Sequence, residues 1–105
     1  MERITFKLKL NEDYKEEYEN RHNPVWPELE SEFLENGVKE YFIFIDDETN
    51  ELFGVINVES EEHWQKISES EVVARWREHM KPFFETDEKG APKLNRMREV
   101  FHIKK

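Results

Sequence analysis

The first residues of the chain alternate between apolar and polar side chains, a pattern typical of a β-strand with one buried face. Over residues 2–10 the apolar positions are Ile4, Phe6, Leu8 and Leu10. The residues between them are Arg3, Thr5, Lys7 and Lys9. We therefore predict a half-buried strand whose apolar face packs on the core.

A first helix is expected directly after this strand. Asn11 stands at the N-cap position, and the acidic residues that follow it suit the positive end of a helix. Tyr14 and Tyr18 are four residues apart, so they share one face of that helix.

Two prolines divide the helical region that follows. Pro24 and Pro27 disfavour helical geometry in the residues before them, but proline is tolerated in a first turn. A second helix is expected to begin near residues 24–27 and to end at Glu35, where an Asn-Gly pair closes it.

The middle of the chain has the pattern of a β-hairpin. The segments VKEYFIFI (residues 38–45) and LFGVINV (residues 52–58) are rich in aromatic and β-branched residues, and DDETNE connects them. Residues 41–45 are apolar without interruption, so both faces of this strand are expected to be buried.

Two more helices and a last strand complete the prediction. Ser60 and Ser70 are the expected N-caps, and the second of these helices carries an apolar stripe. The stripe consists of Val72, Trp76 and Met80. A polar loop is expected over residues 85–93, and the run LNRMREVFHI (residues 94–103) is expected to end as a strand.

The order of these elements, β-α-β-β-α-β, predicts an α+β fold of the ferredoxin-like split β-α-β type. Residues 1–105 are the usual length of one domain. One face of the antiparallel sheet would carry the helices. A second subunit is the economical cover for the other face, which predicts a homodimer.

Composition narrows the classes of partner. The net charge of −9 opposes binding to nucleic acid and to anionic membranes, so a neutral or cationic ligand is expected. The N-terminus lacks the apolar core of a signal peptide, and there is no long apolar run that could span a membrane. The absence of cysteine excludes disulfides and thiolate chemistry, and it suits a reducing compartment.

The four histidines do not form a metal-binding motif. They are scattered along the chain, and no pair has the spacing of H-x-x-x-H or H-E-x-x-H. The three glycines are isolated, so a phosphate-binding loop is not expected. We therefore predict neither a metal site nor a cofactor.

One group of residues has the chemistry of an acid–base site. His22 lies at the end of the first helix, Tyr18 is one turn before it, and Trp26 is held between the two prolines. Imidazole exchanges protons near neutrality, and a phenol beside it can form hydrogen bonds without ionising. The competing interpretation is structural, because a histidine at a helix end often binds the last carbonyl groups.

Tyr41 and Trp76 also allow two interpretations each. Tyr41 is either a core residue or a ligand contact, since a buried phenol requires a hydrogen-bond partner. Trp76 lies on the apolar stripe, which is usually core, but its flat face could also stack on a sugar ring.

Several segments together resemble the L-rhamnose mutarotase family. They are EEYENRHNPVWPELE, the strand that carries Tyr41, LFGVINVESEEHW and VARWREHM, and the likeness extends over essentially the whole chain. The resemblance implies a small cytoplasmic homodimer in which two ferredoxin-like sheets form a dimeric α/β barrel. It also implies an isomerase that interconverts the α and β anomers of L-rhamnose without a metal or organic cofactor.

The resemblance assigns roles to individual residues. It makes His22 the proton donor, and it places the sugar against Tyr18, Tyr41 and Trp76. Family members often have a Trp-Trp pair, whereas this chain has Trp76 followed by Arg77. We expect Trp26 and Trp76 to form the apolar side of the sugar site and Arg77 to alter it, which leaves the preferred sugar open.

Two other functions are compatible with this fold. A cofactor-free oxygenase of the dimeric α/β barrel class would enclose an extended aromatic substrate. A non-catalytic sugar-binding module would use the same residues without accelerating a reaction. Fold alone does not distinguish these functions.

Overall fold

The protein is built on an antiparallel sheet with helices on one face. The structure is a computed structural model, and it describes residues 1–86, 88 and 93–105. The strands in chain order are β1 (Glu2–Lys9), β2 (Val38–Asp46), β3 (Glu51–Val58) and β4 (Asn95–Met97). The helices are α1 (Lys15–Arg21), α2 (Pro27–Glu35), α3 (Glu61–Ser68) and α4 (Glu71–Met80). Short 3₁₀ turns precede α1 at Glu12–Tyr14 and follow α4 at Lys81–Phe83.

The sheet has the strand order β2-β3-β1-β4, and every neighbouring pair is antiparallel. The predicted ferredoxin-like α+β fold is therefore confirmed. In the β2–β3 hairpin, Asp46 lies opposite Glu51, and Asn50 takes up a positive φ of 62° in the connection.

The predicted helix starts at Ser60 and Ser70 are confirmed. The Ser60 hydroxyl accepts a hydrogen bond from the His63 amide at 3.2 Å, and the Ser70 hydroxyl accepts one from the Val73 amide at 3.4 Å. Helix α2 begins at Pro27, as the sequence suggested. None of the helices in the parts of the chain described here is long and apolar enough to cross a membrane.

Asn11 occupies the predicted cap position, but its side chain does not cap the helix. Its amide nitrogen instead donates hydrogen bonds to the carbonyl oxygens of Pro82 and Phe84, at 3.1 and 3.2 Å. Asn11 therefore ties the start of the helical region to the segment after α4. The sequence could not show this contact because the two segments are about seventy positions apart.

The last strand is shorter than predicted. Only Asn95–Met97 pairs with β1, and residues 98–105 contain no strand. The apolar side chains beyond Met97 have no core of their own chain to cover them, which removes the burial that would hold a strand there. Part of the predicted polar loop over residues 85–93, namely 87 and 89–92, lies outside the described residues.

Strand β2 buries one face rather than two. Tyr41, Ile43 and Ile45 face the helices, whereas Phe42 and Phe44 lie on the opposite face of the sheet and are exposed. The expectation that both faces of this strand are buried is thus wrong for the single chain.

The core consists of two clusters that meet beneath α4. The larger one includes Ile56, Leu29 and Val73, and the smaller one includes Leu52 and Tyr18. Leu8 and Trp76 pack against both clusters, so they join the two halves of the core.

Gly54 allows an aromatic ring to cross the middle of the sheet. It lies directly opposite Phe6, and a Cβ atom added at Gly54 would be 2.2–2.7 Å from three carbon atoms of the Phe6 ring. The buried Phe6 ring in turn contacts Tyr41 edge to face, with ring centroids 6.4 Å apart. Gly54 therefore provides the space that positions Phe6 against Tyr41.

We expect Gly54→Ala to lower the free energy of unfolding by about 1–3 kcal/mol, because the added methyl group overpacks the Phe6 ring. Urea denaturation followed by circular dichroism measures this change. The double variant Gly54→Ala/Phe6→Leu should lose less stability than the sum of the two single variants, since the smaller side chain relieves the clash. A Gly54→Ala protein as stable as the native chain would contradict this account.

Candidate active site

The C-terminal end of α1, the segment before α2 and the middle of α4 bring several aromatic rings together. His22 lies 4.2 Å from Tyr18 and 5.3 Å from Trp76, measured between ring centroids. Trp26 contacts Trp76 edge to face at 5.0 Å, and His79 lies 5.2 Å from Trp26 and 5.7 Å from Trp76. We call Tyr18, His22, Trp26, Trp76 and His79 the aromatic cluster.

A hydrogen bond to the main chain fixes the tautomer of His22. Its Nδ1 atom lies 2.9 Å from the carbonyl oxygen of Tyr18. A carbonyl oxygen can only accept a hydrogen bond, so Nδ1 carries the proton and donates it. In the neutral imidazole, Nε2 is therefore left with its lone pair and is available to exchange a proton. The structural interpretation of His22 as a helix cap is thus correct, and within residues 1–86, 88 and 93–105 the second nitrogen has no hydrogen-bond partner.

Partial burial changes the acidity of His22. Desolvation lowers its pKa from the ordinary value of 6.5, and the hydrogen bond to the Tyr18 carbonyl group opposes this shift only in part. The imidazole is consequently neutral in a larger fraction of molecules at pH 7 than an exposed histidine, and its protonated form is a stronger acid.

Tyr18 belongs to the core as well as to the aromatic cluster. It is buried, and its ring contacts Phe84 edge to face at 5.8 Å. Burial raises the pKa of its phenol, and the neighbouring Tyr41 phenol adds to the rise. Tyr18 therefore remains a neutral hydrogen-bonding group at any physiological pH.

Tyr41 lies in an adjacent group of aromatic side chains. Its ring contacts Phe33 at 5.4 Å and Trp64 at 6.1 Å, and it makes no ring contact with the aromatic cluster. Burial raises the pKa of the Tyr41 phenol, while the positive charge of Arg77 partly offsets this effect. Tyr41 packs against the larger core cluster, whereas Tyr18 belongs to the smaller one.

Arg77 is exposed, and its guanidinium group binds the end of α3. Its Nη1 atom donates a hydrogen bond of 2.9 Å to the carbonyl oxygen of Ser68, at the end of α3. Among the described residues, no cation–π contact joins Arg77 to Trp26 or Trp76, whereas its positive charge lowers the pKa of Tyr41. Among the residues singled out from the sequence, Arg77 and Tyr41 are the two that make no ring or cation–π contact with the aromatic cluster.

Two residues of this region, Arg21 and His79, were not predicted from the sequence. Arg21 Nη1 lies 3.0 Å from His79 Nε2, and its Nη2 donates to Glu17 at 2.9 Å. His79 could have been found from its spacing, because residues three apart on a helix share a face and His79 follows Trp76 by three.

Other described regions are weaker candidates for a catalytic or ligand-binding site. Within residues 1–86, 88 and 93–105, no three histidine, aspartate or glutamate side chains are grouped so that they could hold a metal ion. An open groove of about 580 Å³ is lined by residues 9–12 and 48–50 and by Glu85, and it includes no residue of the aromatic cluster. The aromatic cluster is the candidate site, because it combines a titratable group of altered pKa with flat apolar surfaces.

Comparison with known proteins gives a consistent result along the whole chain. A family model for L-rhamnose mutarotase matches residues 3–103. The L-rhamnose mutarotase of Oceanobacillus iheyensis is 40% identical over 103 residues, which cover 98% of this chain and 99% of that protein.

Solved structures extend the comparison to the fold. The crystal structure of an L-rhamnose mutarotase from Formosa agariphila is 36% identical, with a TM-score of 0.84 over 99% of this chain and 100% of the other. A dimeric ferredoxin-like protein from an uncultured marine organism has a TM-score of 0.66 at 21% identity, over 98% and 97% of the two chains. The second likeness concerns the fold alone.

We expect NMR titration of the His22 ring to give a midpoint below 6.5, with the signal identified by its loss in His22→Gln. The folded pKa lies below the unfolded value, so the contribution of His22 to stability is fully present above pH 6.5 and is lost as the pH falls through the folded pKa. Between about pH 7.5 and about pH 5.5, the native chain should therefore lose more free energy of unfolding than His22→Gln. Equal losses of unfolding free energy in the two proteins would show that burial does not lower the pKa of His22.

Proposed function

Because the chain belongs to the L-rhamnose mutarotase family, we propose that it is an isomerase that interconverts the α and β anomers of L-rhamnose. The observation that supports this most directly is the environment of His22. Its Nδ1 atom donates to the Tyr18 carbonyl oxygen, its Nε2 atom binds none of the residues that the structure describes, and its ring lies against the Trp76 indole. An acid–base group beside a flat apolar surface suits proton transfer on an uncharged sugar ring.

Ring opening requires two proton transfers. In the proposed reaction, the His22 imidazolium gives its Nε2 proton to the ring oxygen while the anomeric hydroxyl loses its proton. The bond between C1 and the ring oxygen breaks, and a carbonyl group forms at C1. Rotation about the C1–C2 bond and closure on the other face reverse both transfers, which returns the proton to His22.

The altered pKa values constrain which groups take part. A lowered pKa makes the His22 imidazolium a stronger acid toward the weakly basic ring oxygen. The raised pKa values of Tyr18 and Tyr41 keep both phenols protonated. They therefore act as hydrogen-bond partners of the sugar hydroxyls rather than as ionised bases, and we assign the anomeric proton to a water molecule at the site.

The indole rings of Trp26 and Trp76 provide the apolar side of the proposed sugar site. They meet edge to face and are half-buried, so each keeps part of its surface available. Such a surface suits the C–H edge and the 6-deoxy methyl group of rhamnose. The net charge of −9 does not oppose an uncharged ligand.

Because Arg77 binds the Ser68 carbonyl oxygen, we propose that it influences the sugar through Tyr41 rather than through the indoles.

Magnetisation-transfer NMR on L-rhamnose tests the proposal directly. Native protein should accelerate exchange between the α and β signals, and His22→Ala should reduce the acceleration by at least about 100-fold while the far-ultraviolet spectrum is retained. His63→Ala is the matched control, because His63 is exposed at the start of α3 and bonds to Ser60. It should keep the native rate.

Other results would select other functions. Rhamnose binding without faster exchange would support a sugar-binding module. Oxygen uptake with quinol-like compounds, together with no exchange on any 6-deoxy or neutral hexose, would support an oxygenase. Unchanged activity in His22→Ala would remove His22 from the mechanism.

The proposed donor role also determines the direction of the pH dependence. Once the protein-free rate at each pH has been subtracted, the enzymatic rate should fall as the pH rises through the pKa of His22, which lies below 6.5. A rate that rises over this range would show instead that neutral His22 begins the reaction as a base at the anomeric hydroxyl.

We further propose that two copies of the chain associate through the open face of the sheet into a dimeric α/β barrel. Phe42 and Phe44 stack on one another on this face, at 6.1 Å, and Phe53 and Val55 lie opposite them on β3. The segment after β4 adds further exposed apolar residues. They are Val100, Phe101 and Ile103, which are 81%, 76% and 81% exposed. A symmetric pair of such faces would cover both sets of side chains.

Sedimentation analysis distinguishes the dimer from the single chain. We expect a mass twice that of the 12.9 kDa chain for the native protein and a shift to the single-chain mass for Phe44→Asp. Leu34→Asp is the control, because Leu34 is 55% exposed on α2 and Phe44 is 58% exposed on the sheet. A native protein that sediments as a single chain would contradict the dimer.

We also propose that residues 1–105 form one domain that acts in the cytoplasm. Leu8 and Trp76 pack against both core clusters, which supports one folding unit. A chain without cysteine suits a reducing compartment.

A further inference from the structure

We infer that Arg21 and His79 are positioning residues that hold His22 against Trp76. This inference rests on the proposed function, since it names residues that would act on the same site. It concerns a set of contacts between the end of α1 and the end of α4, and we call the Arg21–His79 pair the clamp.

Arg21 is the last residue of α1 and directly precedes His22 in the chain. Its guanidinium group reaches across to α4, where Nη1 donates a hydrogen bond of 3.3 Å to the carbonyl oxygen of His79. Its Nη2 atom donates to Glu17, and its central carbon lies 4.5 Å from the centre of the Phe83 ring. One half-buried side chain thus contacts α1, α4 and the 3₁₀ turn that follows α4.

The same guanidinium group lies over the face of the His79 ring. Its Nη1 atom is 3.0 Å from Nε2 and 3.5 Å from Nδ1. The Cε1 carbon stands between these nitrogens, so an atom close to both in the plane of the ring would collide with the ring. The contact is therefore made with the aromatic face, which attracts a cation.

The clamp closes a ring of contacts around the candidate site. His79 contacts Trp76, Trp76 contacts His22, and His22 is bonded to Arg21 along the chain. Arg21 then returns to His79. Because each member is held from two sides, the distance between the His22 imidazole and the Trp76 indole is fixed by more than the packing of the two rings. Proton transfer is sensitive to such distances, and small misplacements reduce rates strongly.

A merely structural role would have a different signature. An arginine that binds the last carbonyl groups of α4 stabilises the end of that helix and nothing more. Its removal would lower the melting temperature but leave kcat and the NMR signals of the His22 ring unchanged in the folded protein. The experiment therefore measures both.

The variants are Arg21→Gln, His79→Ala and the combination of the two, with Arg96→Gln as the matched control. Arg96 carries an exposed ion pair to Glu61 at 3.0 Å, and no hydrogen bond or ion pair between described residues joins it to the aromatic cluster. We expect each clamp variant to lower kcat for anomer exchange by about 10-fold or more and to change KM by less than about threefold. The kcat of the double variant should be no more than about threefold below that of the less active single variant, because either substitution breaks the same ring of contacts. Arg96→Gln should keep the native kcat.

His79→Phe distinguishes the face contact from a contact with the ring nitrogens. A phenyl ring keeps a face for Arg21 and a surface for the indoles, so kcat should stay within about threefold of the native value. A loss as large as that of His79→Ala would overturn the face contact. Arg21→Lys should not rescue activity, because an ammonium group cannot reproduce the planar contacts of guanidinium; full activity in that variant would contradict the inference.

Failure of the clamp and failure of the proposed function give different results. The inference fails if the native protein accelerates anomer exchange while Arg21→Gln and His79→Ala keep kcat and the native His22 ring signals. The proposed function fails if the native protein accelerates no exchange. In that case the His22 signals still test the clamp, since they should shift in both clamp variants and stay unchanged in Arg96→Gln.

Discussion

The packing of the Trp76 indole is the constraint on which the rest of the site depends. Trp76 contacts both core clusters, and it also contacts His22 and Trp26 at 5.3 and 5.0 Å. Helix α4 places Val73 in one cluster and Met80 in the other, on either side of this indole. The ring cannot shift without disturbing both halves of the core, so the proposed sugar surface is as rigid as the core itself.

Burial stabilises this region and also sets its chemistry. Tyr18 is a core residue, and removing its side chain from water raises the pKa of its phenol, because the phenolate is the charged form. The effect has the opposite sign for His22, whose pKa falls because the charged form is the protonated one. Burial therefore leaves a group of neutral hydrogen-bonding side chains in a strongly acidic chain. Such surroundings suit the uncharged ligand of the proposed function.

The open face of the sheet is connected to the site through β2. Alternation along this strand places Tyr41 toward the helices and Phe42 and Phe44 on the opposite face. In the proposed dimer, association would cover the two phenylalanines and hold the strand that carries Tyr41. Because successive side chains of a strand point to opposite faces, dimer formation on one face would then affect Tyr41 on the other. The second copy would not need to contact His22 directly.

The sequence by itself determined the elements and their order, because period-two alternation, proline positions and serine caps are local signals. It also grouped His22, Tyr18 and Trp26, which lie within nine residues of one another between the last turns of α1 and the start of α2. Only the tertiary structure decided which distant side chains join them. Asn11 binds the segment after α4, Arg77 turns toward Ser68, and His79 enters the aromatic cluster with Arg21. These contacts depend on how α1 and α4 pack across the sheet, and that arrangement comes from burying both core clusters at once rather than from any local pattern.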